Sequence, residues 1–356
     1  MTLSVTPQAP PSVTRVLVVD DAVVVRRLVV RALESEAGLE LAGTAPNGRV
    51  AMAMMERAKP DVVILDLEMP EMNGFETLAA IRQLHPKLPV IVYSHLTEQG
   101  AAATLEALAL GATEFALKPR ADGIGLAVEQ VRTQLVPLIH ALAPHPMVSD
   151  LYSTSPGLEQ LGRVSVVVMA SSTGGPSALT IVLNDLPADF RVPILIVQHM
   201  PAVFTATLAE RLDARCRLPV VEATLGETVT AGRVYIAPGG HHLEVVRRHG
   251  EVSTLLHDGP RENSCRPAAD VLFRSAVNVY GAEVLAVVLT GMGHDGLQGA
   301  TAVRQEGGSV IVESESTAVI SAMPTAVAKA GLASTVLPID RMADELIRRT
   351  SAGRRP

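Results

Sequence analysis

Three short polar segments in the second half of the chain contain the residue types used in nucleophilic acyl transfer. The segment SSTGGP (residues 171–176) holds two serines, QHM holds His199, and GMGHDG holds Asp295. A serine can attack a carbonyl carbon when a histidine takes its proton and a carboxylate orients the imidazole and stabilises its charged form. The three segments therefore predict a site for nucleophilic acyl transfer with a serine nucleophile.

Each of these segments also has a simpler interpretation. A serine before a helix is commonly an N-cap, His199 could be a core histidine, and Asp295 before Gly296 could be a turn residue. The loop SSTGGP could also bind an anion through backbone N–H groups at a helix start. It lacks both the lysine of a P-loop and the spacing of a dinucleotide-binding glycine motif, so the sequence favours a nucleophile over a phosphate site.

A second set of reactive residues lies in the first half of the chain, where short apolar runs end. Asp20 and Asp21 end the first run, Asp66 the third, Ser94 the fourth and Lys118 the fifth. Three converging carboxylates repel one another unless a hard cation lies among them, and oxygen ligands suit Mg²⁺. An aspartate beside such a cation can attack a phosphoryl group, while the hydroxyl and the ammonium stabilise the transferred oxygens.

The elements that must position this second set alternate between β-strands and α-helices. Five β-branched runs predict strands: RVLVVDD, LELAGTA, DVVILDLEMP, LPVIVYS and TEFALKP. Helical periodicity between them, and over residues 123–142, predicts a doubly wound five-stranded parallel sheet of flavodoxin type, with its ligands at the carboxyl ends of the strands. The buried stripe predicted for the fifth helix is Ile124, Val128, Val131, Leu135, Leu138 and Leu142.

The strand and helix pattern restarts after residue 163 and predicts a larger doubly wound α/β domain. Its predicted strands are RVSVVVMA, VPILIVQH, RVYIAP, GAEVLAVVLTG and SVIVES. Residues 241–258 predict a β-hairpin extension that turns around His249 and Gly250. The serines, the histidine and the aspartate of the first set then follow three strands of one sheet, whose carboxyl ends share an edge.

Length and composition divide the chain into two domains. A chain of 356 residues suits two domains better than one. Residues 143–162 lose the periodicity and gather Pro, Ser and Gly, which is typical of a linker. We therefore predict a disordered tail at 1–12, a first domain at 13–142, the linker, a second domain at 163–349 and a tail at 350–356.

Composition also excludes several functional classes. The net charge of −7 and the lack of basic clusters argue against nucleic-acid binding, and no helix-turn-helix pattern supports a transcription regulator. Two distant cysteines without a CxxC motif predict neither a disulfide framework nor a metal cluster, in keeping with a reduced, cytoplasmic setting. The lack of any run of about 18 apolar residues predicts no membrane insertion.

The second reactive set, in the first half of the chain, resembles the receiver domain of bacterial response regulators, and this resemblance covers about residues 13–118. It implies phosphorylation by a histidine kinase with Mg²⁺ as the cofactor, and inhibition of the second domain by the unphosphorylated receiver. The implied residues are the phosphoacceptor Asp66, the further Mg²⁺ ligands Asp20, Asp21 and the backbone carbonyl of Glu68, the switch hydroxyl Ser94, the lysine Lys118 and the switch aromatic Phe115.

The second half resembles the catalytic domain of the chemotaxis protein-glutamate methylesterases, the CheB family. The resemblance rests on SSTGGPSAL, VQHMP, VYIAPGGHHLEV, HDGPRENSCRPAADVLF and LTGMGHDG, and it covers about residues 163–349. The family pattern A-S-T-G-G implies Ser172 as the nucleophile, with Ser171 standing where relatives usually carry Ala. It further implies His199 as the general base, Asp295 as its orienting carboxylate and the backbone N–H of Met292 as an oxyanion-hole donor.

These resemblances imply a phosphorylation-activated enzyme that hydrolyses glutamate γ-methyl esters on the cytoplasmic helices of methyl-accepting chemoreceptors. They also imply deamidation of receptor glutamines, no cofactor for ester hydrolysis, and a monomer. Two alternatives stay open at this point: a paralogue with the same chemistry in a non-motility chemosensory pathway, and a catalytically silent binding protein gated by phosphorylation.

Overall fold

The computed structural model of the protein contains two compact units. The structure describes residues 13–120, 123–143 and 162–351. The predicted tail at 1–12, nearly all of the predicted linker and the last five residues lie outside the described residues.

The first unit contains a parallel sheet built from near-continuous apolar runs. Its strands are β1 (Thr14–Val19), β2 (Leu39–Ala45), β3 (Val62–Leu65), β4 (Val90–Ser94) and β5 (Glu114–Leu117). The strand order is β2-β1-β3-β4-β5, which confirms the predicted flavodoxin-like architecture. All residues of β3 and β4 are buried, as expected for strands covered on both faces.

Helices follow each of these strands. They are α1 (Val23–Glu34), α2 (Gly48–Ala58), α3 (Gly74–Leu84), α4 (Glu98–Ala109) and α5 (Ile124–Leu142). A capping box starts α3: the Asn73 side chain accepts from the Glu76 N–H, and the Glu76 carboxylate accepts from the Asn73 N–H. Gly74 packs directly on the loop after β3, because a Cβ there would lie 2.2 Å from the Asp66 carbonyl oxygen. This packing fixes the backbone of Asp66.

The stripe predicted for α5 is only partly right. Val131, Leu135 and Leu142 are buried as predicted, but Ile124 is 63% exposed, and Ala127 and Ile139 are buried instead. The buried face follows an i, i+4 row through Ala127. Apolar residues occur on several faces of this helix, so the positions of apolar residues do not identify the buried face, and the prediction was wrong at the first turn.

The second unit contains a larger parallel sheet and a hairpin. The sheet strands are β6 (Val166–Ser171), β7 (Ile194–Gln198), β8 (Val220–Glu222), β9 (Val234–Ile236), β12 (Val284–Val288), β13 (Ser309–Glu313) and β14 (Thr335–Leu337), and the hairpin strands are β10 (His242–Arg248) and β11 (Glu251–His257). The sheet order is β14-β13-β12-β6-β7-β9-β8. The strands β12, β6 and β7 are therefore neighbours at the centre of the sheet.

The helices of the second unit connect these strands. They are α6 (Gly175–Asn184), α7 (Ala202–Asp213), α8 (Ala269–Tyr280), α9 (Leu297–Gln305), α10 (Ala322–Lys329) and α11 (Met342–Ser351). The last helix therefore includes two residues that the sequence placed in the tail. Of the helices that the structure describes, none combines the length and apolarity needed to span a membrane.

Sequence patterns found most of this sheet but not its edges. The five predicted strands are present, whereas the two edge strands β8 and β14, of three residues each, were not predicted. The predicted hairpin is confirmed, with its turn at His249 (φ 51°) and Gly250 (φ 88°). Two successive residues with positive φ give the tight turn that matches the twist of two antiparallel strands.

Candidate active site

The structure brings His199 and Asp295 into direct contact. His199 follows β7, Asp295 lies in the loop between β12 and α9, and His199 Nε2 is 2.8 Å from Asp295 Oδ2. The carboxylate is 2% exposed and the imidazole 12% exposed, so solvent screens this contact weakly. The adjacency of β12, β6 and β7 explains how residues 96 positions apart in the chain meet at one edge of the sheet.

Hydrogen-bond donors surround the Asp295 carboxylate. The backbone N–H groups of Ala269 and Asp270, in the first turn of α8, donate to it at 2.6 and 3.2 Å. The Gly296 N–H and the Asn263 side-chain amide donate to Oδ1 at 3.0 and 2.9 Å. Burial alone would raise the pKa of Asp295, but His199 and the backbone donors hold it below the ordinary value. Asp295 is therefore a stable anion that can hold a charged imidazole.

This environment sets the pH at which His199 can act as a base. Burial lowers the pKa of His199, but the contacts with Asp295 and Cys265 outweigh burial and raise the pKa to about 9. A protonated imidazole cannot accept a proton from a serine, so we expect kcat/KM for ester hydrolysis to rise about tenfold per pH unit below about 8 and to level off above 9.

The pH prediction can be checked by measuring initial rates of methanol release between pH 6 and pH 10. The Ser172→Ala variant provides the blank for alkaline hydrolysis of the ester at each pH. A rate that levels off near pH 7 would contradict the prediction, because it would place the pKa of the base at its ordinary value.

The turn after β6 holds Ser172 in a fixed backbone position. Its N–H donates to the Thr290 carbonyl at 3.0 Å, and its carbonyl accepts from the Gly175 N–H at 2.8 Å and from the Gln198 side-chain amide at 2.9 Å. The N-cap of α6 is Gly174 with φ 77°, so neither serine caps this helix. The loop is thus a strand-to-helix turn tied to the ends of β12 and β7.

The two adjacent serines have different environments. Ser171 is fully buried, and its hydroxyl donates to Gln198 Oε1 at 2.7 Å. Ser172 is partly exposed, and among the residues that the structure describes its hydroxyl has no hydrogen-bond partner. Ser171 is therefore held as part of the scaffold, while the hydroxyl of Ser172 is available for chemistry.

The hydrogen bond between Ser172 and His199 is not formed in this structure. His199 Nδ1, the ring nitrogen that faces away from Asp295, lies 3.6 Å from Cys265 Sγ instead. Hydrogen bonds between a nucleophile and its base are often long in substrate-free enzymes, so this geometry is compatible with a working pair.

Sequence reasoning missed residues in the loop between β11 and α8, and in the first turn of α8, that surround His199 and Asp295. Asn263 donates one amide N–H to Asp295 Oδ1 and the other to Asp270 Oδ2, both at 2.9 Å. Asp270 is 1% exposed and also accepts from the Gly299 N–H at 2.6 Å. The signal that could have found them was the polar run RENSC directly before a helix that contains a buried aspartate.

The loop after β12 packs tightly against Ser172. A Cβ at Gly291 would lie 2.8 Å from the Ser172 Cβ and 2.2 Å from the Met323 sulfur, so only glycine fits there. The next residue, Met292, is half-buried, and its backbone N–H has no hydrogen-bond partner among the described residues. An N–H without a partner one residue from this contact is suited to bind a developing oxyanion. His294, close by, is exposed.

The first unit assembles a second candidate site at the carboxyl ends of β1, β3 and β5. Lys118 Nζ lies 2.8 Å from Asp20 Oδ2 and 2.8 Å from Asp66 Oδ2, and all three side chains are less than a tenth exposed. Burial lowers the pKa of Lys118, but the two carboxylates outweigh burial and raise it. Burial raises the pKa of Asp66, and Lys118 opposes that shift.

Carboxylate oxygens at this site fit a hard divalent cation. One oxygen each from Asp20, Asp21 and Asp66 lies within 4.8 Å of the others. Two buried carboxylates and one exposed carboxylate form an oxygen-rich site that is open on one side, which suits Mg²⁺ with its retained waters.

The other residues of the receiver resemblance lie around these carboxylates. Glu68 is exposed in the loop after β3, two residues beyond Asp66. Ser94 is buried as the last residue of β4, and Phe115 is half-buried in β5.

A further set of metal-type donors, His199, Cys265 and Asp295, also lies within 4.8 Å. The Asp295 oxygens already accept from His199 and from backbone and amide donors, so its lone pairs are committed to the protein. The Asp295 carboxylate is therefore not available as a metal ligand in this arrangement.

The fold and these sites define a class of protein: a response-regulator receiver followed by a larger parallel α/β unit that holds a buried histidine–carboxylate pair. Residues 16–127 match the family model described as the response regulator receiver domain, and residues 167–346 match the model described as CheB methylesterase. The latter alone covers half of the chain.

Relatives along the whole length agree with this class. A protein of Trichodesmium erythraeum (strain IMS101) named protein-glutamate methylesterase/protein-glutamine glutaminase is 47% identical, over 94% of this chain and 98% of its own. A Thermotoga maritima protein with the same name is 41% identical over 94% and 98%. The crystal structure of the Thermotoga maritima CheB methylesterase catalytic domain has 43% identity and a TM-score of 0.51, covering 52% of this chain and 99% of that one. The chain belongs to the CheB methylesterase family.

Proposed function

We propose that this protein removes methyl groups from glutamate γ-methyl esters of chemoreceptors, and deamidates receptor glutamines, through Ser172, His199 and Asp295. The observation that carries the proposal is the buried His199–Asp295 contact at the sheet edge where the Ser172 turn also ends. The names of the relatives, protein-glutamate methylesterase/protein-glutamine glutaminase, support this substrate class. A methyl-accepting receptor domain in the cytoplasm is the substrate that fits both activities.

The geometry supports a specific division of roles. Asp295 accepts a hydrogen bond from the His199 Nε2–H group, which leaves the Nδ1 lone pair for the nucleophile. Ser172 attacks the ester carbonyl carbon as Nδ1 takes its proton, and the Met292 N–H binds the oxyanion. The protonated His199 then gives its proton to the departing methanol. Water, activated in the same way, cleaves the acyl-enzyme to glutamate; with a glutamine substrate, ammonia leaves in place of methanol.

Regulation follows from the receiver site. Asp66 would accept a phosphoryl group from a histidine kinase. Lys118 and Ser94 would contact the oxygens of the phosphoryl group. The cation would be bound by Asp20, Asp21 and the Glu68 carbonyl oxygen. Mg²⁺, when bound, would neutralise charge on the transferred oxygens. The buried Lys118 contact with Asp66 supports this, because a phosphoryl group on Asp66 must rearrange that ion pair. Phe115 is proposed as the aromatic residue that changes position when Asp66 is phosphorylated. Phosphorylation is proposed as the signal that activates the esterase.

A methanol-release assay tests both the activity and its control. Wild-type protein incubated with methylated receptor membranes is expected to release methanol, and a small-molecule phosphodonor with Mg²⁺ is expected to raise the rate at least about tenfold. Asp66→Ala should keep the unstimulated rate and lose the stimulation, because only the phosphoacceptor is removed.

Two outcomes would count against these proposals separately. No methanol from wild-type protein under either condition would contradict the esterase and favour the phosphorylation-gated binding protein. Equal stimulation of Asp66→Ala and wild type would leave the esterase intact and contradict the assignment of Asp66.

A further inference from the structure

Cys265 lies at the ring nitrogen of His199 that the esterase mechanism needs. Its Sγ is 3.6 Å from His199 Nδ1 and 3.4 Å from the Asn263 carbonyl oxygen, and the side chain is half-buried. Asp295 holds the opposite ring nitrogen at 2.8 Å. The order of groups is thus thiol, imidazole and carboxylate, which is the arrangement that activates a sulfur nucleophile.

A tight turn fixes the thiol in this place. Glu262 and Cys265 exchange backbone hydrogen bonds of 3.1 and 2.8 Å across Asn263 (φ 50°) and Ser264 (φ 65°). The same turn directs the Asn263 amide onto the Asp295 carboxylate at 2.9 Å. One local structure therefore sets both ends of the His199–Asp295 pair, so the position of the thiol is coupled to the catalytic geometry.

The proton balance of the pair favours a reactive sulfur. The thiolate is the nucleophilic form of cysteine, and a neighbouring imidazole promotes it by taking the thiol proton. Such an imidazole lies beside Cys265, because His199 Nδ1 is 3.6 Å from its Sγ.

We propose that Cys265 is a peroxide-reactive site whose oxidation to the sulfenic acid reversibly switches the esterase off. The switch regulates the same site as the proposed function and rests on it. A sulfenic acid at this position occupies the Nδ1 side of His199, so the base can no longer take the proton of Ser172.

The step balances with hydrogen peroxide as the oxidant. His199 takes the Cys265 thiol proton, the thiolate sulfur attacks one peroxide oxygen, an S–O bond forms and the O–O bond breaks. The departing hydroxide takes the proton from His199 and leaves as water. Sulfur loses two electrons and peroxide gains them. A thiol reductant reverses the change: two equivalents return the sulfenic acid to the thiol and leave as a disulfide and water.

Cys216 provides an internal comparison, because it is the only other cysteine of the chain. It is half-buried like Cys265, but burial, reinforced by the charge of Asp213, raises the pKa of its thiol to about 11. Very little thiolate exists there at neutral pH, so we expect Cys265 to react with peroxide at least about ten times faster than Cys216.

The test uses the full-length protein as wild type, Cys216→Ser and Cys265→Ser. Each is treated with hydrogen peroxide in the presence of dimedone, and the sites of sulfenic acid trapping are read by peptide mass spectrometry. In parallel, methanol release from methylated receptor membranes is measured before and after peroxide treatment without dimedone, and again after dithiothreitol. Each variant is compared with its own untreated rate, so a changed basal rate in Cys265→Ser does not affect the comparison.

The expected result is dimedone on Cys265 in wild type and Cys216→Ser, with loss of most methanol release in both and recovery with dithiothreitol. Cys265→Ser should retain its untreated rate. Labelling confined to Cys216, or equal inactivation of Cys265→Ser, would overturn the proposal. Failure of the proposed function is distinguishable, since it would abolish methanol release without peroxide while the dimedone result still reports on the thiol.

Discussion

Ser172→Ala is expected to lower methanol release by about 10⁴- to 10⁶-fold, because removing the nucleophile of a triad leaves only binding and oxyanion stabilisation. The hydroxyl of Ser172 has no other hydrogen bond within the described residues, and its backbone is held by contacts that an alanine keeps. The fold should therefore be unaffected, with a melting temperature within the range of ordinary surface substitutions. Steady-state methanol release and thermal unfolding of the same preparation measure both quantities.

Ser171→Ala is the matched control, since it makes the same chemical change one residue earlier. It removes a buried hydrogen bond to Gln198 Oε1, which leaves that acceptor unpaired at a cost of about 1–3 kcal/mol in folding free energy. Its rate should stay within about tenfold of wild type, because the Ser171 hydroxyl contacts Gln198 and not the His199 ring, and the backbone contact between the Ser171 carbonyl and the His199 N–H is kept by alanine. The reverse pattern, with Ser171→Ala inactive and Ser172→Ala active, would transfer the nucleophile to Ser171.

The sequence predicts the positions of the proposed catalytic residues for a physical reason. In a parallel sheet the carboxyl ends of neighbouring strands meet, so polar residues that follow apolar runs are brought to one edge wherever they lie in the chain. This explains the meeting of His199 and Asp295, and of Asp20, Asp66 and Lys118. The position after a strand does not separate Ser172 from Ser171, because the two serines are adjacent. In the sequence only the family pattern distinguishes them, whereas in the structure Ser171 is buried and Ser172 is partly exposed.

What the sequence could not predict depends on tertiary packing. Asn263 and Cys265 contact Asp295 and His199 because the loop turns back at Asn263 and Ser264, which both have positive φ. The identity of these two residues does not by itself predict that conformation. The exposure of Ile124 depends on which of the several apolar faces of α5 is buried in the folded unit. The local sequence pattern thus located the residues at the strand ends. It did not locate Asn263 and Cys265, which contact Asp295 and His199 from a loop without periodicity.

The second prediction with a large expected effect concerns Asp295, the proposed orienting carboxylate. We expect Asp295→Asn to lower methanol release by about 10⁴-fold, since an amide at this place stabilises the wrong tautomer of His199 and cannot hold its charged form. Every observed partner of the carboxylate is a donor, including the N–H groups of Ala269 and Gly296. The amide NH₂ therefore faces donors in either orientation, and a loss of stability of about 1–3 kcal/mol should accompany the loss of rate.

Asp270→Asn separates this effect from a general disturbance of the loop. Asp270 is equally buried, shares the Asn263 amide with Asp295 and accepts from the Gly299 N–H, but it does not contact His199. Its charge beside Asp295 is unfavourable, and burial followed by that repulsion raises the pKa of Asp270. Asp270→Asn should thus lose less than about tenfold in methanol release. Equal losses of rate in Asp295→Asn and Asp270→Asn would mean that the whole buried network orients His199. A much larger loss in Asp295→Asn would mean that the carboxylate in contact with Nε2 orients His199 by itself.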